Sequence, residues 1–226
     1  MTGSLVSPAT RDRVRGFATP VATALGRLGL TPNALTLIGF AGTCVAALAA
    51  ALQWWLIAGI LVLAFGIFDL FDGTLARATG RTSRLGAFLD STFDRAGEAM
   101  VFVGVAAGLL AREFDLGVLL AAAAMAAAFM VSYTRAKSES LGFTTGTGMA
   151  AIGLAPREVR LVILTLGLLA AGLVPTDQVV CVSAPCLQPI GTGDLVLAGS
   201  LGLIAILATI TAIQRILHVR AQAGED

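Results

Sequence analysis

Asp69-Leu70-Phe71-Asp72-Gly73-Thr74-Leu75-Ala76-Arg77, followed after eight residues by Gly86-Ala87-Phe88-Leu89-Asp90-Ser91-Thr92-Phe93-Asp94, decides how this chain is read. Asp69 and Asp72 are three apart, and Asp90 and Asp94 are four apart, so on helices each pair shares a face. Two facing helices then gather four carboxylates into one cluster. Carboxylates that close do not all stay ionised without a cation between them. Hard cations with oxygen ligands, Mg2+ above all, suit such a donor set. Two such ions suit phosphoryl chemistry, because they neutralise charge on the attacked and leaving oxygens. Acidic residues on a merely solvated helix face are a poor alternative, because the flanking segments are too apolar for such a face.

Those flanks define the class of protein. The chain has 226 residues, 57% hydrophobic and 13% charged, with a mean hydropathy of +0.88. This composition belongs to a polytopic membrane protein and excludes an ordinary soluble domain. A formal net charge of +1 provides no field to draw nucleic acid. The sequence lacks the layout of a cleavable signal, and three cysteines are too few for a disulfide scaffold.

Outward from the opening stretch, the periodicity predicts an all-α architecture of six transmembrane helices and an N-terminal amphipathic helix. Residues 8–28 place Val14, Phe17, Val21 and Leu25 on one stripe, with Arg11, Arg13 and Arg15 off it. That pattern predicts a helix lying in the headgroup region, started at Pro8 and bent at Pro20. Thr31 or Asn33 is placed to cap the next helix. No charge occurs from 28 to 68, too long for one span, and Gln53-Trp54-Trp55 divides it at the membrane interface. The expected spans are 33–52, 55–76, 86–110, 116–133 (continuing as helix to 139), 157–173 and 194–218. Residues 78–84, 112–115, 141–156 and 174–192 read as loops, and no strand pattern is visible. The expected organisation is an N-terminal juxtamembrane segment, 1–29, a membrane domain, 30–221, and a polar tail, 222–226. Arginine and lysine gather at the termini and in the 2–3 and 4–5 loops, leaving Arg112 for the other side. The positive-inside rule therefore places both termini and the aspartate cluster at the cytoplasmic face of a cell membrane.

The spacing Asp-x2-Asp-Gly-x2-Ala-Arg-x8-Gly-x3-Asp-x3-Asp resembles, position for position, the signature of the CDP-alcohol phosphatidyltransferase family. The resemblance implies an enzyme that displaces CMP from a CDP-linked lipid by an alcohol. It implies that Asp69, Asp72 and Asp90 hold one Mg2+, that Asp69, Asp90 and Asp94 hold a second, and that Asp94 is the general base. Mn2+ would substitute. It also implies that Gly73 and Ala76 admit the nucleotide and that Arg77 pairs with the diphosphate. Thr31, Pro32, Asn33, Ala34 and Ser83 occupy positions that contact the CDP-lipid. The expected partners are CDP-diacylglycerol, membrane lipids and a second copy of the chain in a homodimer. For Arg95 and Glu98 the residues suggest pairing with the acidic cluster and with each other.

Arg135, Lys137, Arg157, Arg160 and Arg215 are more cations than a neutral acceptor alcohol needs. An acceptor that carries its own phosphate accounts for them; topology signals at helix ends are the plainer account. Ser132 to Glu139, then Arg157, Arg160 and Leu161, then Gln214-Arg215, are similar to the phosphatidylinositol phosphate and archaetidylinositol phosphate synthases. That likeness implies inositol 1-phosphate as acceptor, with Arg135, Arg157, Arg160 and Arg215 as its phosphate site. Arg135 stands where lysine is expected. Glycerol 3-phosphate is the rival acceptor. A cation or proton transporter is the rival class, since intramembrane carboxylates also mark ion paths, but an ion path has no need of Gly73, Ala76 and Arg77. A catalytically silent scaffold has no need of four intact aspartates. Cys181 and Cys186 are placed for a disulfide in a loop on the far side, and Cys44 and His218 read as packing and interfacial residues.

Overall fold

A computed structural model of the chain describes residues 19–143, 152–175, 179–181 and 189–224, the side chains of 69, 70, 179, 181 and 189 excepted. Helix α1 is described over 19–27. It is followed by α2 (Pro32–Ala51), α3 (Trp55–Ala78), α4 (Arg84–Leu110), α5 (Asp115–Ser140) and α6 (Arg157–Leu173). Strands β1 (Val179–Cys181) and β2 (Pro189–Gly191) come next, and α7 (Thr192–Ala223) ends the described chain. Six helices close into a ring in the order α2, α3, α6, α7, α5, α4 and back to α2.

The sequence makes these breaks locally. Thr31 caps α2, its hydroxyl oxygen accepting from Ala34 N–H at 3.2 Å, with Pro32 in the first turn. Ser83 caps α4 in the same way, accepting from Gly86 N–H at 2.9 Å. At the α2–α3 turn Gln53 takes φ 63°, and at the α4–α5 turn Glu113 takes φ 58°. Arg112 ties these turns to the start of α7: its Nε donates to Gln53 Oε1 at 2.9 Å, and its Nη1 pairs with buried Asp194 at 3.2 Å. Arg112 lies at the end of the ring away from the four aspartates, where the charge pattern isolates it.

The core is aliphatic. Ala46, Ala50, Val105, Leu109, Leu168, Leu197, Leu201 and Ile204 are buried in one cluster at the ring's centre. The α2–α4 seam is held by backbone contact: a Cβ on Gly104 would lie 2.1 Å from Ala47 O, and one on Gly108 2.4 Å from Ala50 O. Small residues let helices approach this closely in a membrane. Large apolar side chains such as Val45, Leu48, Ile60, Leu119, Leu166 and Ile206 point outward and stay exposed. For a soluble protein that surface would be a liability; for a membrane protein it is the lipid-facing side.

The helix bounds lie close to those expected for the six spans. Four helices, α2, α3, α5 and α7, are long and apolar enough to cross a membrane. The other two miss those terms for visible reasons. Asp90, Asp94, Arg95 and Glu98 interrupt α4, and α6 has only 17 residues. The expected absence of strands needs correction. β1 and β2 pair antiparallel, Val179 with Gly191 and Cys181 with Pro189. Three residues a side are too few to display an alternation, and Pro189 in a pairing segment argues against a strand on propensity. The expected helix start at Pro8, the stripe residues Val14 and Phe17, and the side chains of Cys181 and Cys186 lie outside the described residues. Cys44 is a free, half-buried thiol within α2.

Candidate active site

The predicted donor residues meet where the N-termini of α2 and α4 approach the C-terminal part of α3. Pro32 and Asn33 from α2, Asp72, Gly73, Ala76 and Arg77 from α3, and Ser83 and Asp90 from the α4 side line one cavity of ≈200 Å³. Thr36, Arg81, Thr82, Gly86 and Ala87 complete it. The caps explain the convergence. A Cβ on Gly86 would lie 3.0 Å from Ser83 Oγ and 3.3 Å from Asn33 Oδ1, so the two helix starts touch. Helix N-termini present N–H groups and positive dipole ends, which favour phosphate. Thr31 and Ala34 do not line the cavity; they bond to each other as cap and first turn. The Arg77 guanidinium folds back over Gly73, where a Cβ would come 3.3 Å from Nη1. Its Nη2 approaches Thr74 Oγ1 at 3.4 Å.

Asp72 is buried, and its Oδ2 accepts from Thr36 Oγ1 at 2.7 Å while Gly73 N–H donates to Oδ1. Thr36 is assigned no role from the sequence alone. The signal was available: a buried carboxylate on an apolar helix needs a donor from its neighbour. Asp69 sits one turn before Asp72 on α3; its side chain lies outside the described residues.

A second cavity of ≈810 Å³ opens on the other flank of Asp90, between α4, α5, α6 and α7. Asp90, Asp94, Arg95, Ser132, Arg135, Arg157, Glu158, Arg160 and Arg215 are on its wall. All four arginines predicted for an acceptor phosphate therefore gather in one place, beside Asp94 and apart from the nucleotide residues. Asp90 borders both cavities.

The four arginines are not equivalent. Arg157 Nη2 pairs with Asp94 Oδ1 at 2.9 Å, and half-exposed Arg135 with Glu139 at 2.8 Å. Arg160 is 1% exposed and fully engaged: Nε and Nη2 grip the two Glu98 oxygens at 2.8 and 2.9 Å, and Nη1 donates to Ala155 O at 2.9 Å. Buried Arg215 donates from Nε to Ile152 O at 3.0 Å and from Nη1 to Val131 O. Arg95 lies between Asp94 at 3.5 Å and Glu98 at 3.7 Å, and donates to Ser132 Oγ at 2.7 Å. The pairing expected of Arg95 and Glu98 is present, and Glu98 also reaches across to α6.

The donor set fits a divalent cation in its chemistry. It is all carboxylate oxygen, with Asp72 buried and facing the same cavity as Asp90. Among the described residues no three acidic side chains converge to cation distance; the expected cluster includes Asp69, whose side chain is not among them.

Comparison with known proteins places this geometry in context. Residues 29–220 match the family model described as CDP-alcohol phosphatidyltransferase. The archaetidylinositol phosphate synthase of Pyrococcus horikoshii is 40% identical over 154 residues, covering 68% of this chain and 77% of the relative. The phosphatidylinositol phosphate synthase of Streptomyces avermitilis is 37% identical over 210 residues, covering 92% of this chain and 79% of the relative. Among solved structures, the phosphatidylinositol phosphate synthase of Mycobacterium tuberculosis with CDP-DAG bound superposes with a TM-score of 0.72 at 30% identity, covering 89% of this chain and 92% of that one. The same mycobacterial protein in complex with manganese and citrate gives a TM-score of 0.72 at 29% identity, covering 89% and 88% of the two chains.

Proposed function

The chain belongs to the CDP-alcohol phosphatidyltransferase family, and we propose that it transfers the phosphatidyl group of CDP-diacylglycerol to inositol 1-phosphate, releasing CMP. It is a membrane enzyme of phospholipid biosynthesis. The ion-path reading fails, because the aspartates stand inside the family's full signature. The observation that carries the choice of acceptor is the second cavity. It brings cations from α5, α6 and α7 to the flank of Asp94 away from the nucleotide. The names of the relatives point the same way.

Asp69, Asp72, Asp90 and Asp94 would hold Mg2+ or Mn2+, two ions by the family pattern. Bound there, the metal supplies electrostatic stabilisation of the diphosphate and its leaving oxygen. The remaining roles belong to the chain's own groups. Arg77 and the N-termini of α2 and α4 receive the diphosphate, and Asn33 and Ser83 border the nucleotide. Thr36 holds the Asp72 carboxylate in one orientation. Asp94 takes the proton from the acceptor hydroxyl. Arg157 and Arg135 contact the acceptor phosphate: both line the cavity, and each meets a carboxylate there, Asp94 and Glu139. Arg160 shapes the wall, its three nitrogens being committed to Glu98 and Ala155 O, and Arg215 does so through Nε and Nη1, which hold the carbonyls of Ile152 and Val131. With Asp90 and Asp94 committed to metal, the cavity's charged wall is five arginines against Glu139 and Glu158, which favours a dianionic acceptor. The basic loops put this end of the bundle at the cytoplasmic face. The N-terminal helix lies along the headgroups, and the assembly is a homodimer.

CMP release from CDP-diacylglycerol, measured against inositol 1-phosphate, glycerol 3-phosphate, inositol, glycerol and serine, tests the proposal. Inositol 1-phosphate should give the highest kcat/KM. A higher value for glycerol 3-phosphate would reassign the acceptor. Equal rates with an unphosphorylated alcohol would remove the phosphate site altogether.

A further inference from the structure

We propose that Thr211, on α7 and outside both cavities, is a positioning residue for the acceptor: its hydroxyl fixes the backbone that delivers Arg157. Thr211 is fully buried, and its Oγ1 accepts from two consecutive backbone N–H groups, Leu154 at 3.0 Å and Ala155 at 2.9 Å. The same hydroxyl donates to Leu207 O at 2.8 Å, so the proton direction is set and both lone pairs face the backbone. Gly153 is built for this contact. It has φ +117°, and a Cβ there would lie 2.1 Å from Thr211 Cγ2. One turn further along α7, Arg215 takes Ile152 O at 3.0 Å. Residues 152–155 are thus strapped to α7 at both the carbonyl and the amide level.

This strap sets where α6 begins. Pro156 is the α6 cap and provides no side-chain hydrogen bond to the first turn. The entry angle is therefore fixed from outside, by the strap behind it. Pro156, Arg157 and Glu158, immediately after the strapped residues, all line the large cavity. Ala155, whose amide Thr211 holds, also offers its carbonyl to Arg160 at 2.9 Å. Removing the Thr211 hydroxyl leaves two buried amides without their acceptor. The backbone relaxes toward other partners and carries Arg157 with it. The donor cavity is built from α2, α3 and the start of α4, and has no element in common with the strap. The predicted consequence is selective: the acceptor site loosens and the donor site does not.

The inference rests on the acceptor site proposed above, and the wild-type arm separates the two. If wild-type enzyme releases no CMP in response to inositol 1-phosphate, the functional reading fails. If it does, steady-state kinetics of Thr211→Val and Thr211→Ser, each with both substrates varied, tests the strap. Thr211→Val should raise the acceptor KM by about tenfold, in line with the cost of sub-ångström misplacement of a binding group. Its CDP-diacylglycerol KM should stay within about twofold of wild type. Thr211→Ser keeps the hydroxyl and should restore the acceptor KM. Where Thr211→Val does not accumulate as folded protein, Thr211→Ala serves, since it removes the same acceptor without packing a second methyl against the two amides. The same selective rise is required of it. An unchanged acceptor KM, or a parallel rise in both KM values that serine does not reverse, overturns the proposal.

Discussion

The two cavities on either side of Asp90 are built by opposite means. The smaller one is made of residues close in sequence, carboxylates and small side chains from 32 to 90, carried on α2, α3 and the start of α4. The larger one takes side chains from α4, α5, α6 and α7 across 90 to 215, and most of its chemistry is arginine. In the first, a residue's type and spacing nearly determine its task. In the second, the task depends on what each arginine already holds. Arg157 and Arg160 are neighbours on one helix face, yet one meets Asp94 across the cavity while the other is locked to Glu98 and Ala155.

The sharpest way to break the distinction is to remove what the two sides share. Thorough chelation should abolish CMP release, and Mg2+ or Mn2+ should restore it; undiminished turnover after chelation would show that the carboxylates serve neither side through a metal. Next in size is Asp94→Asn. It should lower kcat by about 10²–10⁴-fold, the usual contribution of a general base, while binding of CDP-diacylglycerol, followed by equilibrium titration, survives. Asp72→Asn should instead lose donor binding along with turnover. Equal loss of donor binding in both variants would merge the two cavities into one functional unit. The smallest effects separate the arginines. A charge-assisted contact is worth about 1.5–3 kcal/mol, so Arg157→Ala should raise the acceptor KM by about ten- to a hundredfold. Arg135→Ala, at a half-exposed site where solvent screens the contact, should raise it by no more than about fivefold. Both should leave the donor KM unchanged, and a rise in the donor KM alone would assign these residues to the diphosphate.

How far the sequence could be read follows the same division. The helices were legible because lipid imposes long apolar runs, and Gln53-Trp54-Trp55 and the 78–84 loop interrupt them with the expected residues. Thr31 announced itself as a cap by type and position, whereas Ser83, read only as a lipid-contact position, proved to cap α4 as well. Glu98 was readable as a partner for Arg95 three residues away, but not for Arg160 across the ring, because nothing local records which helix will face it. Arg215 suggested a phosphate ligand by its charge, yet its nitrogens reach the carbonyls of Ile152 and Val131, which have no signature in sequence. The β1–β2 pair was hidden for a related reason: a three-residue strand is defined by its partner and not by its own pattern.

The α4 seam has one further consequence, for tolerance to change. Asp90, Asp94, Gly97, Gly104 and Gly108 fall on one stripe of α4, which bears chemistry at one end and bare backbone contact at the other. Ala47 O and Ala50 O occupy the space where side chains at 104 and 108 would begin. A single methyl at either position must push α4 away from α2, and a stiff helix transmits that push along its length to carboxylates about 15–27 Å away. In a saturation scan scored by growth or turnover, Gly104 and Gly108 should therefore rank with the aspartates. They would read as catalytic positions to anyone who had only the scan.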